Sequence, residues 1–211
     1  MSRPRLVNLA LPKTGTTTLT DALRHAGLTV ADWKIRPGQS KRRDIAREHL
    51  ARIIYDDYFA SGDPLARLTE FDVINEMSAV RADRSLWPQT DWGLIRAIEA
   101  HHPQVKLILT MRDPAATAAS MMRWNNLGTR RLPAADIPGL PRGYGTTEAE
   151  LARWIEGHYA FCNRVFAGAT HFMAYDIEDP EAPRHIGAFL GIDLPWWGRS
   201  NAGKPRAVSD A

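Results

Sequence analysis

Apolar residues along the chain occur in short strand-like runs that are separated by longer stretches with a helical period. The strand-like runs are Arg5 to Leu11, Phe71 to Asn75, Val105 to Met111 and His171 to Tyr175. Each run is largely apolar and bounded by polar, Gly or Pro residues, which is typical of a β-strand. The run from Val105 to Met111 is the most strand-like, and we expect it at the centre of a sheet.

Helical patterns lie between these runs. The first is predicted to end near Ala26, because apolar residues recur before it at steps of three and four and Gly27 suits a C-terminal cap. The other predicted helices are Lys41 to Phe59, a segment capped by Asp91, Pro114 to about Trp124, Thr146 to about Ala167, and Pro183 to Leu190. Strands that alternate with helices predict an α/β fold with a central parallel sheet covered on both faces, a three-layer α/β/α architecture. Its ligand site is expected beyond the carboxyl ends of the strands.

Two stretches show no period. Residues 125–145 are rich in Gly, Pro and Arg, and we predict a long loop that acts as a lid, since such excursions from a compact domain usually carry function. Residues 196–211 are predicted to form a C-terminal loop. Without a repeat or a linker, the sequence predicts one domain over residues 1–211.

Composition narrows the class of protein. Of 211 residues, 44% are hydrophobic and 24% charged, which excludes a disordered or fibrous chain. The apolar runs fall short of the roughly 20 residues that a membrane span needs, and the N-terminus lacks a cleavage site, so we expect a cytoplasmic protein. The lone Cys162 excludes an intrachain disulfide, and the seven histidines show no metal-ligand spacing, so no metal is predicted. The net charge of +3 favours anionic ligands, but no nucleic-acid-binding motif accompanies it.

The segment between the first strand and the first helix suits an anion. It reads Pro12-Lys13-Thr14-Gly15-Thr16-Thr17-Thr18. Backbone N–H groups and the positive end of the helix are expected to converge there on an anion. Gly15 permits a tight turn, and Lys13 adds a positive charge. A Walker loop would need an upstream glycine and a Gly-Lys-Ser/Thr triplet, so an ATPase or GTPase is disfavoured. The alternative is a threonine-rich helix cap with a surface lysine.

A second segment lies at the same predicted edge of the sheet. Arg112 ends the central strand, and Ser120 follows about two turns into the next helix. Arginine binds phosphate through parallel hydrogen bonds, so the two residues suit a second phosphate. The alternatives are a salt bridge from Arg112 to Asp113 or another acid, and a Ser120 that packs on the sheet.

With both segments together, the chain resembles the family of sulfotransferases that use 3′-phosphoadenosine 5′-phosphosulfate as donor. The family's 5′-phosphosulfate loop, Pro-Lys-x-Gly-Thr-Thr, is matched by Pro12 to Thr17. Its 3′-phosphate motif, an Arg that closes a strand and a Ser eight residues later, is matched by Arg112 and Ser120. The resemblance covers most of the region from Arg5 to Trp124.

The resemblance implies roles for these residues. Lys13 would contact the oxygen that bridges phosphate and sulfuryl group, and Arg112 with Ser120 would hold the 3′-phosphate. The 5′-phosphate would be held by Thr14, Gly15, Thr16, Thr17 and Thr18. Many family members also close a basic, glycine-containing C-terminal loop over the donor, which Gly203 and Lys204 match loosely; a solvated tail is the alternative.

Transfer to a hydroxyl or amine requires a base, which the family supplies as a histidine or a carboxylate. Glu76 directly follows the strand Phe71 to Asn75 and is predicted to face the crevice beside Lys13 and Arg112. Asp72 and His49 rank behind it. The alternative for Glu76 is an exposed loop carboxylate or a helix cap.

The acceptor does not follow from these motifs. The sequence leaves two roles for the tryptophans: they form an aromatic wall that binds a sugar or a flat ring, or they pack in the core. They are at positions 87, 92, 124, 196 and 197. The basic runs Lys41 to Arg43 and Arg130 to Arg131 attract an anionic acceptor or are solvated faces. We expect a small-molecule or glycan acceptor, and a homodimer is compatible with the sequence. The functional alternatives are a nucleotide or small-molecule kinase, and a non-catalytic protein that binds the desulfated nucleotide.

Overall fold

A computed structural model describes residues 4–81, 83–198 and 200. The strands in chain order are β1 (Leu6–Asn8), β2 (Val30–Ala31), β3 (Val73–Ile74), β4 (Ala79–Arg81), β5 (Arg84–Leu86), β6 (Lys106–Met111) and β7 (Phe172–Asp176). Five of them form a parallel sheet in the order β2-β3-β1-β6-β7, and β4 and β5 form a separate antiparallel hairpin. The predicted parallel sheet, with the strand around Val105 to Met111 inside it, is confirmed.

The helices are α1 (Thr16–His25), α2 (Leu50–Ser61), α3 (Trp92–His101), α4 (Pro114–Arg123), α5 (Glu148–Val165) and α6 (Ala182–Leu190). Their starts follow local signals in the sequence. Asp91 caps α3 by accepting a hydrogen bond from Leu94 N, and Thr147 with Glu150 forms a capping box on α5. In the described part of the chain, no helix is both long and apolar enough to cross a membrane.

Side chains that alternate along the strands build two cores. Leu6 and Ile108 point to the face that α1 and α6 cover, where they pack with Leu23 and Ile186. The neighbouring residues Val7 and Leu107 point to the opposite face, which α2, α3, α4 and α5 cover. The sheet therefore lies between two helical layers, and the predicted α/β/α architecture is confirmed.

The second helix begins later than its apolar pattern predicts. It starts at Leu50, and the nine residues before it are irregular. Arg47 has a left-handed φ of 67°, which a continuous helix does not allow, and the carboxylate of Glu70 accepts a hydrogen bond from Lys41 N. Ile45 is fully buried, as its position in the apolar pattern suggested, but it lies in a turn and not in a helix. The prediction of a helix from Lys41 was therefore wrong over its first half.

Other boundaries also differ from the predictions. β1 ends at Asn8, three residues before the apolar run ends, because Leu9 to Leu11 already lead into the loop that follows. The two-residue β2 and the β4–β5 hairpin were not predicted. Residues 125–145 contain a π-helix, Leu127–Arg131, and Leu132 and Leu140 from this segment are buried in the core. Its role as a lid stays a prediction.

Candidate active site

Three of the predicted site residues lie beyond the carboxyl ends of adjacent strands. Lys13 follows β1, Glu76 follows β3 and Arg112 follows β6, and β1 lies between β3 and β6 in the sheet. The charge of Glu76 raises the pKa of Lys13 and the charge of Arg112 lowers it, although burial of the ammonium has the largest effect and also lowers it. The Lys13 ammonium is therefore within electrostatic range of both other side chains. We call the region beyond these three strand ends the crevice.

A buried polar network joins the strands beneath this crevice. Asn8 on β1 donates from Nδ2 to Asn75 Oδ1 at 2.7 Å and to Thr110 Oγ1 at 3.0 Å. Asn75 Nδ2 also donates to Thr16 O at 2.7 Å, which attaches the first turn of α1 to the end of β3. Thr110 continues the network through a 3.0 Å hydrogen bond with the hydroxyl of Tyr175 on β7. These paired groups hold the strand ends in register, since a buried polar group without a partner is costly.

The sequence analysis did not identify this network. Asn8 interrupts an apolar run and Asn75 ends one, and both side chains are fully buried. A polar residue in a strand that is otherwise apolar is the sequence feature that marks such a position.

The loop from Pro12 to Thr18 presents backbone N–H groups to the crevice. Lys13 and Gly15 have left-handed φ angles of 71° and 104°, and Gly15 is the N-cap of α1 without a side-chain cap. Gly15 therefore provides no side-chain cap for the first turn of α1, and the N-terminus of a helix attracts anions.

Most threonine hydroxyls of this loop have partners within the protein. Thr14 Oγ1 donates to Leu11 O at 2.9 Å, and Thr16 Oγ1 donates to Glu76 Oε2 at 3.2 Å. Thr18 Oγ1 accepts from Ser200 N at 3.3 Å. We therefore expect backbone N–H groups and Lys13, rather than the hydroxyls of Thr14 and Thr16, to provide the main contacts with an anion.

Gly15 is required by both its backbone conformation and its surroundings. A Cβ atom at this position would lie 2.5 Å from Ile177 Cγ1. Gly15→Ala is therefore expected to lower the free energy of unfolding by about 2–4 kcal/mol, from left-handed strain and from overlap. Gly27→Ala is the matched control, because Gly27 has a φ of 81° with nothing within 4 Å of the added carbon, so only the strain applies. Urea unfolding measures both, and equal losses would show that the overlap with Ile177 has no effect.

Lys13 reaches into the crevice beside an aromatic ring. Its Nζ lies 3.5 Å from the centroid of the Trp124 ring, a cation–π contact, and the Trp124 side chain is 45% exposed. No salt bridge of Lys13 is found within residues 4–81, 83–198 and 200. The ammonium thus contacts an aromatic surface and is within electrostatic range of Glu76.

Glu76 has the environment of a general base. Its carboxylate accepts hydrogen bonds from Thr16 Oγ1 at 3.2 Å and from Ser78 Oγ. Burial raises the pKa of Glu76 to about 7, and the charge of Asp32 adds to the rise. A base whose pKa lies near the working pH is well suited to accept and release a proton.

Arg112 follows β6, and Ser120 lies on α4, the helix that comes next in the chain. Arg112 Nε donates to Glu178 Oε1 at 3.0 Å, and the hydroxyl of Tyr159 donates to Arg112 O at 3.2 Å. Asp113 caps α4 by accepting from Ala116 N at 2.7 Å, so the ion pair of Arg112 is with Glu178 and not with Asp113. Ser120 lies half-buried on α4.

The remaining predicted site residues belong to the C-terminal segment of the chain. Gly203 and Lys204 lie outside the described residues. Ser200 donates from Oγ to Asp21 Oδ2 at 2.6 Å, so the chain reaches α1 shortly before them.

The two other candidates for the base have different surroundings. Asp72 precedes β3 and accepts from Thr29 N at 2.9 Å and Thr29 Oγ1 at 2.6 Å, which places it at the opposite edge of the sheet from Lys13. His49 is the N-cap of α2, and burial lowers its pKa. Its Nε2 lies 2.9 Å from Arg81 Nη1. Glu76 is thus the candidate that lies closest to Lys13 in the fold.

The tryptophans divide between core and surface. Trp87 is 2% exposed and packs in the core, whereas Trp92 and Trp124 are 44% and 45% exposed. No group of three or more His, Cys, Asp or Glu side chains in the described chain is arranged to hold a metal ion.

The comparisons with known proteins agree with this architecture. No family model and no curated protein matches the chain. Among solved structures, a sulfotransferase from Alicyclobacillus acidocaldarius matches with a TM-score of 0.51 and 16% identity over 98% of this chain and 88% of that one. The sulfotransferase domain of the Synechococcus PCC 7002 olefin synthase matches with a TM-score of 0.48 and 18% identity over 96% of this chain and 81% of that one. The α/β/α sheet, with its P-loop-like segment after β1, therefore has the sulfotransferase fold.

Proposed function

We propose that this protein is a sulfotransferase that moves a sulfuryl group from 3′-phosphoadenosine 5′-phosphosulfate to a hydroxyl or amine. The observation that carries the proposal is the placement of Lys13, Glu76 and Arg112 beyond the ends of three adjacent strands, with Lys13 within electrostatic range of the other two. Two cations, the N-terminus of helix α1 and one base suit a doubly anionic donor and an acceptor with a proton to lose. We also propose that residues 1–211 act as one domain.

The chain has groups for both ends of the donor. The N–H groups at the start of α1 and Lys13 hold the 5′-phosphate, and Lys13 neutralises the charge that grows on the bridging oxygen as the S–O bond breaks. Arg112 and Ser120 hold the 3′-phosphate. The ion pair of Arg112 with Glu178 is half-exposed and therefore weak, so a phosphate can replace the Glu178 carboxylate.

Glu76 takes the proton that the acceptor loses as its oxygen or nitrogen bonds to sulfur. Its position beyond β3 places it next to the loop that carries Lys13. The electron pair of the broken S–O bond stays on the nucleotide phosphate, beside the Lys13 ammonium. No covalent intermediate with the protein is required for this in-line transfer.

Arg112→Ala tests the donor site directly. The variant is expected to bind the desulfated nucleotide about 10–100-fold more weakly, because charge-assisted hydrogen bonds to a phosphate are lost. Titration calorimetry measures the affinity. Arg96→Ala is the matched control, since it also breaks a surface ion pair, with Glu99 at 2.8 Å, on a helix away from the crevice. The absence of nucleotide binding by the folded wild-type protein would overturn the proposed function.

A further inference from the structure

The order of the strands divides the crevice into two sides. The proposed donor residues follow β1 and β6, whereas Glu76 follows β3, and β2 lies beyond β3 at the edge of the sheet. If the donor lies beyond β1 and β6, the acceptor has to lie on the other side, beyond β3 and β2. Glu76 then lies between the donor and the acceptor. The residues that follow β2 and those that follow Glu76 therefore form the surroundings of the acceptor.

Trp33, His49 and Arg81 come together on this side. Trp33 follows β2, is 43% exposed, and its ring centroid lies 5.5 Å from that of His49. Arg81, an exposed residue at the end of β4, has its Nη1 2.9 Å from His49 Nε2. The backbone of His49 also pairs with Lys34 in an isolated β-bridge. An exposed indole thus lies beside an exposed guanidinium.

Among the residues that the structure describes, the cations of this cluster are not held in ion pairs. Lys34, Arg81 and Arg84 have no salt bridge within the described parts of the chain. Burial lowers the pKa of His49, and these cations lower it further, so the imidazole is neutral and offers Arg81 a neutral partner only. The carboxylate of Glu48 raises the pKa of His49, against the effect of these cations, and it also forms a salt bridge with Arg52 at 3.5 Å.

A second guanidinium approaches the same strand from residues 125–145. Arg131 Nη1 donates to Val80 O on β4 at 3.4 Å, and its Nε is buried without a hydrogen-bond partner. His49 Nδ1 is buried without a partner as well. Buried polar atoms normally have partners, so the hydrogen-bonding groups beside β4 are not fully satisfied within the protein.

We propose that the acceptor carries an anionic group of its own, a carboxylate, sulfate or phosphate, and that Arg81 binds this group while the indole of Trp33 packs against the acceptor's ring or sugar face. The proposal rests on the proposed sulfotransferase function and specifies its acceptor class. Aromatic side chains beside spare guanidinium donors suit a ligand with one flat face and one charged end.

Matched pairs of probes test this inference. Para-hydroxyphenylacetate is compared with its neutral amide, and methyl glucuronide with methyl glucoside, so that the two pairs distinguish an aromatic acceptor from a sugar. Turnover with the sulfuryl donor gives kcat/KM for each probe, and calorimetry in the presence of the desulfated nucleotide gives its affinity. In at least one pair, the wild-type protein is expected to prefer the charged member about tenfold or more, as a charge-assisted hydrogen bond allows.

Arg81→Ala is expected to remove this preference, and Arg81→Lys to restore part of it. Arg184→Ala is the control, because Arg184 is an exposed arginine on α6 that is paired with Glu181 at 2.7 Å, and its loss should leave the preference intact. Nucleotide binding is measured for every variant. If the wild-type protein binds the nucleotide but takes the charged probes no better than the neutral ones, or does not take them at all, the acceptor proposal alone is overturned. If the wild-type protein binds no nucleotide, the proposed function fails and this inference fails with it.

Discussion

Replacing Glu76 by glutamine is expected to lower kcat by about 10²–10⁴-fold, the usual contribution of a general base. Glutamine keeps the size of the side chain, and its one carbonyl oxygen can still accept one of the two hydrogen bonds from Thr16 and Ser78, but it cannot take a proton at neutral pH. Affinity for the desulfated nucleotide should change little. Steady-state turnover and calorimetry measure the two quantities, and Glu156→Gln on the exposed side of α5 is the control.

The pH dependence of the wild-type protein should identify the same group. Because burial raises the pKa of Glu76 to about 7, the carboxylate becomes fully available only above that pH. We therefore expect kcat/KM to rise with pH through an apparent pKa near 7, and this rise should be absent from the residual activity of Glu76→Gln. If kcat/KM of the wild-type protein does not change from about pH 6 to about pH 8, within about one unit of a pKa of 7, Glu76 is not the general base.

Stability should change in the opposite direction to activity. The folded protein holds the Glu76 proton more tightly than the unfolded chain does, so the wild-type protein loses stability as pH rises from about 4.5 to about 7. Glu76→Gln avoids this loss and should be more stable than the wild-type protein above pH 7, by up to about 3 kcal/mol. The difference should shrink towards pH 4, where both side chains are neutral. If Glu76→Gln is less stable than the wild-type protein at every pH, the fold does not disfavour the ionised form of Glu76.

Replacing Lys13 by methionine is expected to lower kcat by about 10²–10³-fold, the typical effect of removing one preorganised group that stabilises developing charge. Methionine keeps an unbranched apolar stem against Trp124 while the ammonium is lost. The loss of a nearby positive charge should also raise the pKa of Glu76 and shift the activity profile to higher pH. Lys41→Met, at an exposed position, is the control. Full activity in Lys13→Met would exclude a role for the ammonium in leaving-group stabilisation.

Those parts of the molecule that depend on near neighbours in the chain were predictable from the sequence. The caps of α3 and α4 involve residues three positions apart, and the central strand β6 shows as a continuous apolar run. The loop from Pro12 to Thr18 belongs to the same class, because the turn at Gly15 and the start of α1 are determined within a few residues. The three-layer fold then follows from the alternation of strands and helices.

Contacts between distant segments were not predictable in this way. Asn8 meets Asn75 and Thr110 across 67 and 102 residues of chain, and a pattern of period two or four contains no information on such pairs. The two-residue β2 is too short to show a period at all, and α2 begins at Leu50 only because the preceding residues are held by contacts with Glu70 and Lys34.

The sequence by itself determined the α/β class, and it predicted an anion-binding loop and the residues Lys13, Glu76 and Arg112 as candidates for one site. Only the tertiary structure placed them at adjacent strand ends, raised the pKa of Glu76 through burial, and brought Trp33, His49 and Arg81 together. The physical reason is that hydrophobic period and turn chemistry act over a few residues, whereas burial and electrostatic interaction depend on distances in space that are set when the sheet assembles.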